Sequence, residues 1–488
     1  MPYLSIFRQL CAIPRPSHHE GRVADFLCQF AEAHHLRYRR DANNCVVIEK
    51  PATPGHEDAE PVVILNHMDM VCVARDDYRR DGRPFDPLRD AIRPYIDTVT
   101  DAEGKTTRWM KAEGTSLGAD NGIGLSMALA ILADDTIVHG PLEVLTTTNE
   151  EDGMSGAEGL ATDFIRGRKV INLDSEAYDE ITVGAAGAYL QKAHWTLTPE
   201  PVSAEGYDAF TLSITGGLGG HSGVDINKGR CNAIHTLAGL IAGFADDVLL
   251  SAFDGGTANA SIASAATATL LVPESRAEAT QQRIDACQRQ MAEQYGTTDP
   301  NVRLDIVRGE RPTHHCPELR HIVTTIAALP CGVISMRSDM PGTVMTSNNI
   351  GVAATAADSR TFTLTCHSRS FDNDDMRRTG RAIAEACKAH HAAHIDLLMD
   401  TAAWVERPDA PLLSLTSATF RDVLGFAPKP VAMHFVLEAA YYVEKYPGVE
   451  IASIGPRIVE PHSTSERVDL DTAADIWRVT LALLSRLA

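Results

Sequence analysis

Residues 113–124 read EGTSLGADNGIG, a single aspartate, Asp120, set in a run of small residues. Glycines at 118, 122 and 124 tolerate positive φ and close approach by other segments, which leaves the backbone around Asp120 room to bend. Directly downstream, IGLSMALAILAD (123–134) is apolar enough to form a buried helix that starts beside the carboxylate. Asp120 is therefore either an Asx cap on a core helix or an acid delivered into a site. The choice depends on what other chemistry the fold brings to the same place.

Candidates for that company stand at the ends of strand-like runs. PVVILN (61–66) is a compact apolar run of the kind buried on both faces of a parallel sheet, and it ends on His67, Met68 and Asp69. In extended chain, positions 67 and 69 point the same way, so Asp69 can hold one imidazole nitrogen while the other binds a metal; an ordinary His–Asp hydrogen bond is the plainer alternative. LEVLTTT (142–148) leads into Asn149, Glu150, Glu151 and Asp152, a solvated acidic turn unless the Gly-Met-Ser-Gly run at 153–156 holds it near a site. KVINL (169–173) ends in Asp174, Ser175 and Glu176, which in isolation is a cap or a turn. Far along the chain, residues 449–454 feed Gly455 and Pro456 and then Glu460, Pro461, His462 and Ser463. An open α/β sheet collects such residues along the C-terminal edge of its strands, and a domain inserted between them would still let the two halves of one site meet. Histidine with several carboxylates suits zinc or manganese; magnesium or calcium would want oxygen alone.

A chain of 488 residues exceeds the size at which one core keeps growing, so two domains are expected. No window has the uninterrupted apolar length of a membrane span, and the first residues lack the pattern of a secretory signal. The ten cysteines are scattered singly without CxxC spacing, which suits free thiols in the cytoplasm. A formal charge of −21 argues against nucleic acid as a partner. Residues 75–111 read as a polar loop. Beyond residue 188 the texture changes to an α+β pattern, with helices over 233–244, 277–295 and 374–393 and strands over 265–271 and 361–366. Here TGGLGGHSG (215–223) sets His221 on a close-packed glycine loop that lacks phosphate-loop order. His314, His315 and Cys316, flanked by Pro312 and Pro317, read as a loop rather than a ligand cluster. Asp471 is the expected cap of the last helix.

Together these motifs resemble the aminoacyl-histidine (Xaa-His) dipeptidases of the M20 metallopeptidase family. The likeness runs nearly end to end, through NHMDMV (66–71), GTSLGADNGIG (114–124), VHGPLEVLTTTNEEDGMSGAEGL (138–160), INLDSE (171–176), GGHSG (219–223), SRS (368–370), SIGP (453–456) and EPHS (460–463). It implies an α/β zinc-peptidase-type catalytic domain, built from residues 1–187 and 398–488 around a mixed, largely parallel central sheet, with an α+β lid and dimerisation domain inserted at 188–397. It implies two zinc ions per subunit, with Mn2+ or Co2+ as substitutes. One would be held by His67, Asp120 and Asp174, the other by Asp120, Glu151 and His462, with Asp120 as the bridge and a cis peptide to Asn121. Glu150 would be the general base, and Asp69 would orient His67. His221 would donate to the oxyanion, acting across a homodimer. Arg369 would bind the free carboxylate of a dipeptide, unless it pairs with nearby Asp372, and Glu438 would help bind substrate. The expected reaction is dipeptide hydrolysis with preference for Xaa-His; an N-acyl-amino-acid deacylase and a non-enzymatic binding descendant are the competing readings. The chain departs from the family pattern at GGTANASIAS (255–264), which lacks the usual Arg and Pro, and at residues 436–440, where VLEAA keeps the Glu but adds side-chain volume.

Overall fold

The computed structural model describes residues 1–100, 104, 106–202, 206–405 and 409–488. The chain divides into two compact units, one formed by Met1–Gly184, Val405–Ala432 and Glu438–Ala488, the other by Ala185–Trp404 and Met433–Leu437.

In the first unit the uninterrupted apolar runs become central strands. Val62–His67 and Leu142–Thr147 are buried at every position. The one acid inside them, Glu143, accepts hydrogen bonds from the backbone N–H groups of Arg166 and Gly167 and from the Arg166 guanidinium. Leu142–Thr147, Val62–His67, Lys169–Asn172 and Glu450–Ser453 lie side by side in that order, all parallel. Antiparallel strands Val46–Lys50 and Glu180–Ala185 flank them. The sheet is thus parallel at its centre and mixed at its margins. All four central strands end on one edge, the geometry that gathers a site in open α/β folds. Ala119–Ala133 is a helix buried from Ala119 to Leu132, as an all-round apolar sequence requires. Asp120 and Asn121 depart from helical dihedrals, so the regular helix starts at Gly122. Among the described residues no helix is long and apolar enough to cross a membrane.

Two expectations need correction in this unit. The segment expected as a loop at 75–111 contains a hairpin, Pro94–Thr100 paired with Thr106–Ala112. Pro94–Thr100 is largely exposed and Thr106–Ala112 buries only Trp109, Met110 and Ala112, so charged and polar side chains hide the alternation. The hairpin joins Ile458–Val459 and Arg467–Asp469 in a four-stranded sheet, where Arg457 and Arg467 both lie 5.3 Å from the Trp109 ring centre. The last helix, Leu470–Leu487, is capped by Asp469 rather than Asp471: the Asp469 carboxylate accepts from the N–H groups of Asp471 and Thr472, and Asp471 is left to take a bond from Arg108.

The second unit is an antiparallel sheet with strand order Arg303–Arg308, Tyr207–Thr215, Ala266–Pro273, Leu249–Gly255, Val344–Thr355, Thr361–Ser370, Gly187–Thr196 and His394–Thr401. Helices Ala233–Ala242, Ala277–Tyr295, Glu318–Ala328 and Asn373–Ala389 supply Leu237, Ile241, Ile284, Ile322 and Ile383 to a core shared with Leu212, Phe253, Leu270, Phe362 and Leu364 of the strands. His314–His315 forms a two-residue strand against Glu200–Pro201 and belongs to no metal-capable cluster among the described residues.

Candidate metal centre

The C-terminal ends of the parallel strands bring the first unit's histidines and acids to one place. His67 is the last residue of its strand; Asp174 follows Lys169–Asn172 by two positions, and Glu150 and Glu151 follow Leu142–Thr147 by three and four. The turn carrying the glutamates is fixed rather than solvated. Asn149, at φ +56, donates its backbone N–H to Glu20 and its side-chain amide to Asp152 O and Ser155 Oγ. Asp69 grips the same turn, its two oxygens accepting from the N–H groups of Glu150 (3.1 Å) and Glu151 (3.2 Å), while the Ser17 hydroxyl donates to it at 2.8 Å. His462 sits at φ +58, a backbone conformation uncommon outside glycine.

The resulting geometry is two clusters sharing one residue. His67 Nε2 is 3.1 Å from Asp120 Oδ1 and 3.2 Å from Asp174 Oδ1. His462 Nε2 is 3.2 Å from Asp120 Oδ2 and 2.8 Å from Glu151 Oε2. Asp120 therefore offers one oxygen to each cluster. On the far side of the first imidazole, His67 Nδ1 lies 3.4 Å from Asp69 Oδ1. The Asp120–Asn121 peptide is cis. Of the three glycines flagged in the sequence only Gly118 has positive φ, at +70°; a Cβ there would meet Met70 Sδ at 2.5 Å and Arg15 Nη2 at 2.6 Å. At Gly124 the need is closeness, since a Cβ would come within 2.5 Å of the Leu173 carbonyl beside Asp174.

Two residues absent from the sequence reading hold this frame together. Arg15, 1 % exposed, donates to the carbonyls of Met68, Asp69 and Gly118, tying the strand end that bears His67 to the turn that bears Asp120. Glu466, 3 % exposed, accepts three backbone N–H bonds, from Leu117, Gly118 and Ala119, at 2.7–2.9 Å. Both use backbone groups as partners, so neither leaves a side-chain motif. The one available signal was an arginine locked between Pro14 and Pro16.

The donors fit a pair of divalent cations. Two carboxylate oxygens crowd one imidazole nitrogen at His67, and that nitrogen can donate a single hydrogen bond. Glu151 Oε1, buried, has no hydrogen-bond partner. Charge is unbalanced in the same sense. Burial, with Asp120 nearby, pushes the Asp174 carboxyl up to about 7 even against His67. Burial likewise raises Glu150 well above the carboxylate range, and it raises Glu438 to about 8. Burial works against charging His67, but Asp174, Asp120 and Asp69 outweigh it and hold the imidazole pKa well above its usual value. His462 is pushed up to about 11 by its bonds to Asp120 and Glu151. Protons here occupy positions that cations would take. The two clusters, each with one imidazole and two carboxylates, accord with two zinc ions per subunit.

The remaining predicted residues divide between the units. Glu438 is buried in the first, near Thr147 and His67, with Oε1 unpartnered. His221 and Arg369 lie in the second. His221 Nδ1 accepts from the N–H groups of Gly223 and Val224, so the neutral ring carries its proton on Nε2 and presents a donor there. Burial and the Arg369 charge push its pKa down to about 4, keeping the ring neutral at physiological pH. The segment from Ala258 to Ile262, within the stretch that departs from the family pattern, braces this loop through its backbone: Ser222 N–H donates to Ala260 O and Ile262 N–H to Gly220 O. Arg369 does not pair with Asp372, which instead caps the helix Asn373–Ala389. The guanidinium, 3 % exposed, has only long contacts, to Ser222 Oγ (3.5 Å) and His367 Nδ1 (3.4 Å), and its Nε is unpartnered. Burial alone lowers its pKa to about 10. His367 and His434, which the sequence reading missed, border this charge, and burial and Arg369 keep both neutral.

Residues 63–486 match the model of peptidase family M20/M25/M40. The cytosol non-specific dipeptidase of Escherichia coli K12 is 33% identical over 501 residues, covering 100% of this chain and 97% of that protein. The crystal structure of aminoacylhistidine dipeptidase from Vibrio alginolyticus superposes with a TM-score of 0.87 at 31% identity, covering 99% of this chain and 96% of that one. A tripeptidase from Staphylococcus aureus shares the fold at 14% identity and a TM-score of 0.59, with 100% and 98% covered. A histidine–carboxylate centre at the edge of a parallel sheet, in a chain matched over most of its length, defines a metallopeptidase: the chain belongs to peptidase family M20/M25/M40.

Proposed function

We propose that this chain is a zinc-dependent dipeptidase whose substrates include Xaa-His dipeptides. The observation that carries the reading is Asp120, which presents one oxygen to each of two His–carboxylate clusters in an M20-family chain. His67, Asp120 and Asp174, and Asp120, Glu151 and His462, would hold two divalent ions, which when bound would polarise the scissile carbonyl and acidify water. The chain's own residues supply the rest. Glu150, on the turn gripped by Asp69, takes a proton from the attacking water and returns it to the leaving amine. Asp69, beside His67 Nδ1, holds the ring so that Nε2 points at Asp120 and Asp174. Glu438, buried near Thr147 and His67 with Oε1 unpartnered, suits a polar contact to the substrate. Arg369, a buried guanidinium without a counterion among the described residues, suits the free carboxylate of a dipeptide, and the Nε2–H of His221 suits an oxyanion.

Two similar proteins carry names of different breadth, one non-specific and one aminoacylhistidine-directed. Both are dipeptidases, which favours that reading over an N-acyl-amino-acid deacylase. Purified protein loaded with zinc is expected to release amino acids from Xaa-His and other dipeptides much faster than from N-acetyl amino acids. The reverse order would replace the dipeptidase reading with the deacylase one. We further place the protein in the cytoplasm, consistent with ten free cysteines, as a homodimer in which the unit containing His221 serves as lid and contact surface. Light scattering that returned a monomer at assay concentrations would remove the homodimer.

A further inference from the structure

A third histidine–carboxylate group lies outside this centre, on the antiparallel sheet of the second unit. We propose that His194, His394 and Asp396 form a separate binding site for a zinc-class divalent cation. His194 belongs to Gly187–Thr196 and the other two to His394–Thr401, the strand at the end of the sheet. The register sets His194 directly opposite His394, and residues 394 and 396 share a face of their strand. Their neighbours Ala193 and Trp195 point into the core, at 3 % and 2 % exposure, so the histidines take the opposite face.

The three side chains bring their ligand atoms to one place. As they stand the two imidazoles stack at 4.1 Å with planes 14° apart, so sharing an ion requires one ring to turn until its in-plane Nε2 lone pair meets the other's; both Nε2 atoms already lie near one oxygen, Asp396 Oδ2. His194 Nε2 is 2.9 Å from that oxygen, a hydrogen bond; His394 Nε2 is 4.0 Å away, too far for one. Those separations of 2.9 and 4.0 Å lie either side of the roughly 3.3–3.5 Å that tetrahedral zinc with bonds of about 2.0–2.2 Å imposes. Two nitrogens and one carboxylate oxygen favour zinc, nickel or copper over calcium or magnesium. Among the described residues no lysine or arginine ion pair occupies Asp396; its ion-pair partners are these two imidazoles. Three protein ligands leave a fourth position open to water or to a donor from another molecule. The site is not a fringe of the Arg369 group. His194 lies opposite Thr363, six residues before Arg369 on the strand Thr361–Ser370, or roughly 20 Å along it.

The test is zinc stoichiometry of the full-length protein, stripped with chelator and dialysed to saturation against zinc. Wild-type protein is expected to hold three ions per chain. The double variant His194→Ala/His394→Ala is expected to hold two, with dipeptide hydrolysis unchanged. His394→Gln, at a half-exposed position on the end strand, repeats the test with less risk to folding, and cobalt loading shows the same loss as a missing component of the visible absorption. Stoichiometry and cobalt spectra identical between wild type and His394→Gln would overturn the site, whatever the hydrolysis assays say about the catalytic pair.

Discussion

Asp120→Ala is expected to lose dipeptide hydrolysis by at least ~10³-fold and to bind fewer than two ions at the catalytic centre. The size follows from geometry. Asp120 is the only residue common to both clusters, at 3.1 Å from His67 and 3.2 Å from His462. Removing it strips a donor from each, and two dications held there would face each other without the negative charge between them. Metal assistance of this kind is worth several kcal/mol, and each ~1.4 kcal/mol is a factor of ten in rate. Burial opposes the charge on Asp120, but bonds from His462 and His67 hold its carboxyl well below the usual range, so it is the most firmly ionised acid of the group. Asp120→Asn keeps the shape and tests the charge alone. Both variants should keep the helix Ala119–Ala133, whose burial rests on Ile123, Leu125, Met127 and Leu129, so an unchanged melting profile after metal stripping separates loss of metal from loss of fold. A variant with two catalytic zinc ions and normal turnover would remove Asp120 as the bridge.

Much of this centre was legible because a parallel sheet converts sequence order into position. A strand buried on both faces must be apolar throughout, so Val62–His67 and Lys169–Asn172 stand out, and whatever follows them falls on one edge. That rule places His67, Asp174 and the Glu150–Glu151 pair on one edge; their division into two ligand sets and a base is what the family resemblance implies. His462 needed more, since it lies beyond Glu450–Ser453, almost 400 residues from His67; the register of that strand beside Lys169–Asn172 brings it in.

What could not be read consists of groups that act through backbone. Glu466 looks like any surface acid near the end of the chain, yet its carboxylate closes three N–H groups of the turn before Asp120. Arg15 likewise spends its guanidinium on three carbonyls. The hairpin around residue 100 is hidden for the opposite reason: Pro94–Thr100 has no buried residue and Thr106–Ala112 only three, so polar residues outnumber the buried ones that mark a strand. Asp469 was passed over for Asp471 because both precede the helix, and two residues of register decide which carboxylate reaches the free N–H groups. In the second unit, His367 is an ordinary strand residue in sequence; only pairing beside Arg369 shows it to be part of a buried charge environment.

Glu150→Gln is expected to retain both catalytic zinc ions and to slow hydrolysis by about 10²-fold or more, the scale of lost acid–base catalysis. Its neighbour should behave differently. Glu151 places Oε2 2.8 Å from His462 Nε2 within the second cluster, so Glu151→Gln should first weaken zinc affinity, with activity restored by added zinc. Two adjacent glutamates diverge because Asp69 takes the N–H of each, fixing the backbone between them and sending only Glu151 into a cluster. Glu150 belongs to neither cluster, which leaves its carboxylate free for the proton transfer proposed above. Zinc titration of initial rates separates the two variants: the Glu150→Gln curve should saturate where wild type does, at a lower plateau, and the Glu151→Gln curve should shift to higher zinc. If both curves saturate at the wild-type zinc concentration with equal plateaus, the division of labour between the two residues fails, and Asp69 holds nothing more than an acidic turn.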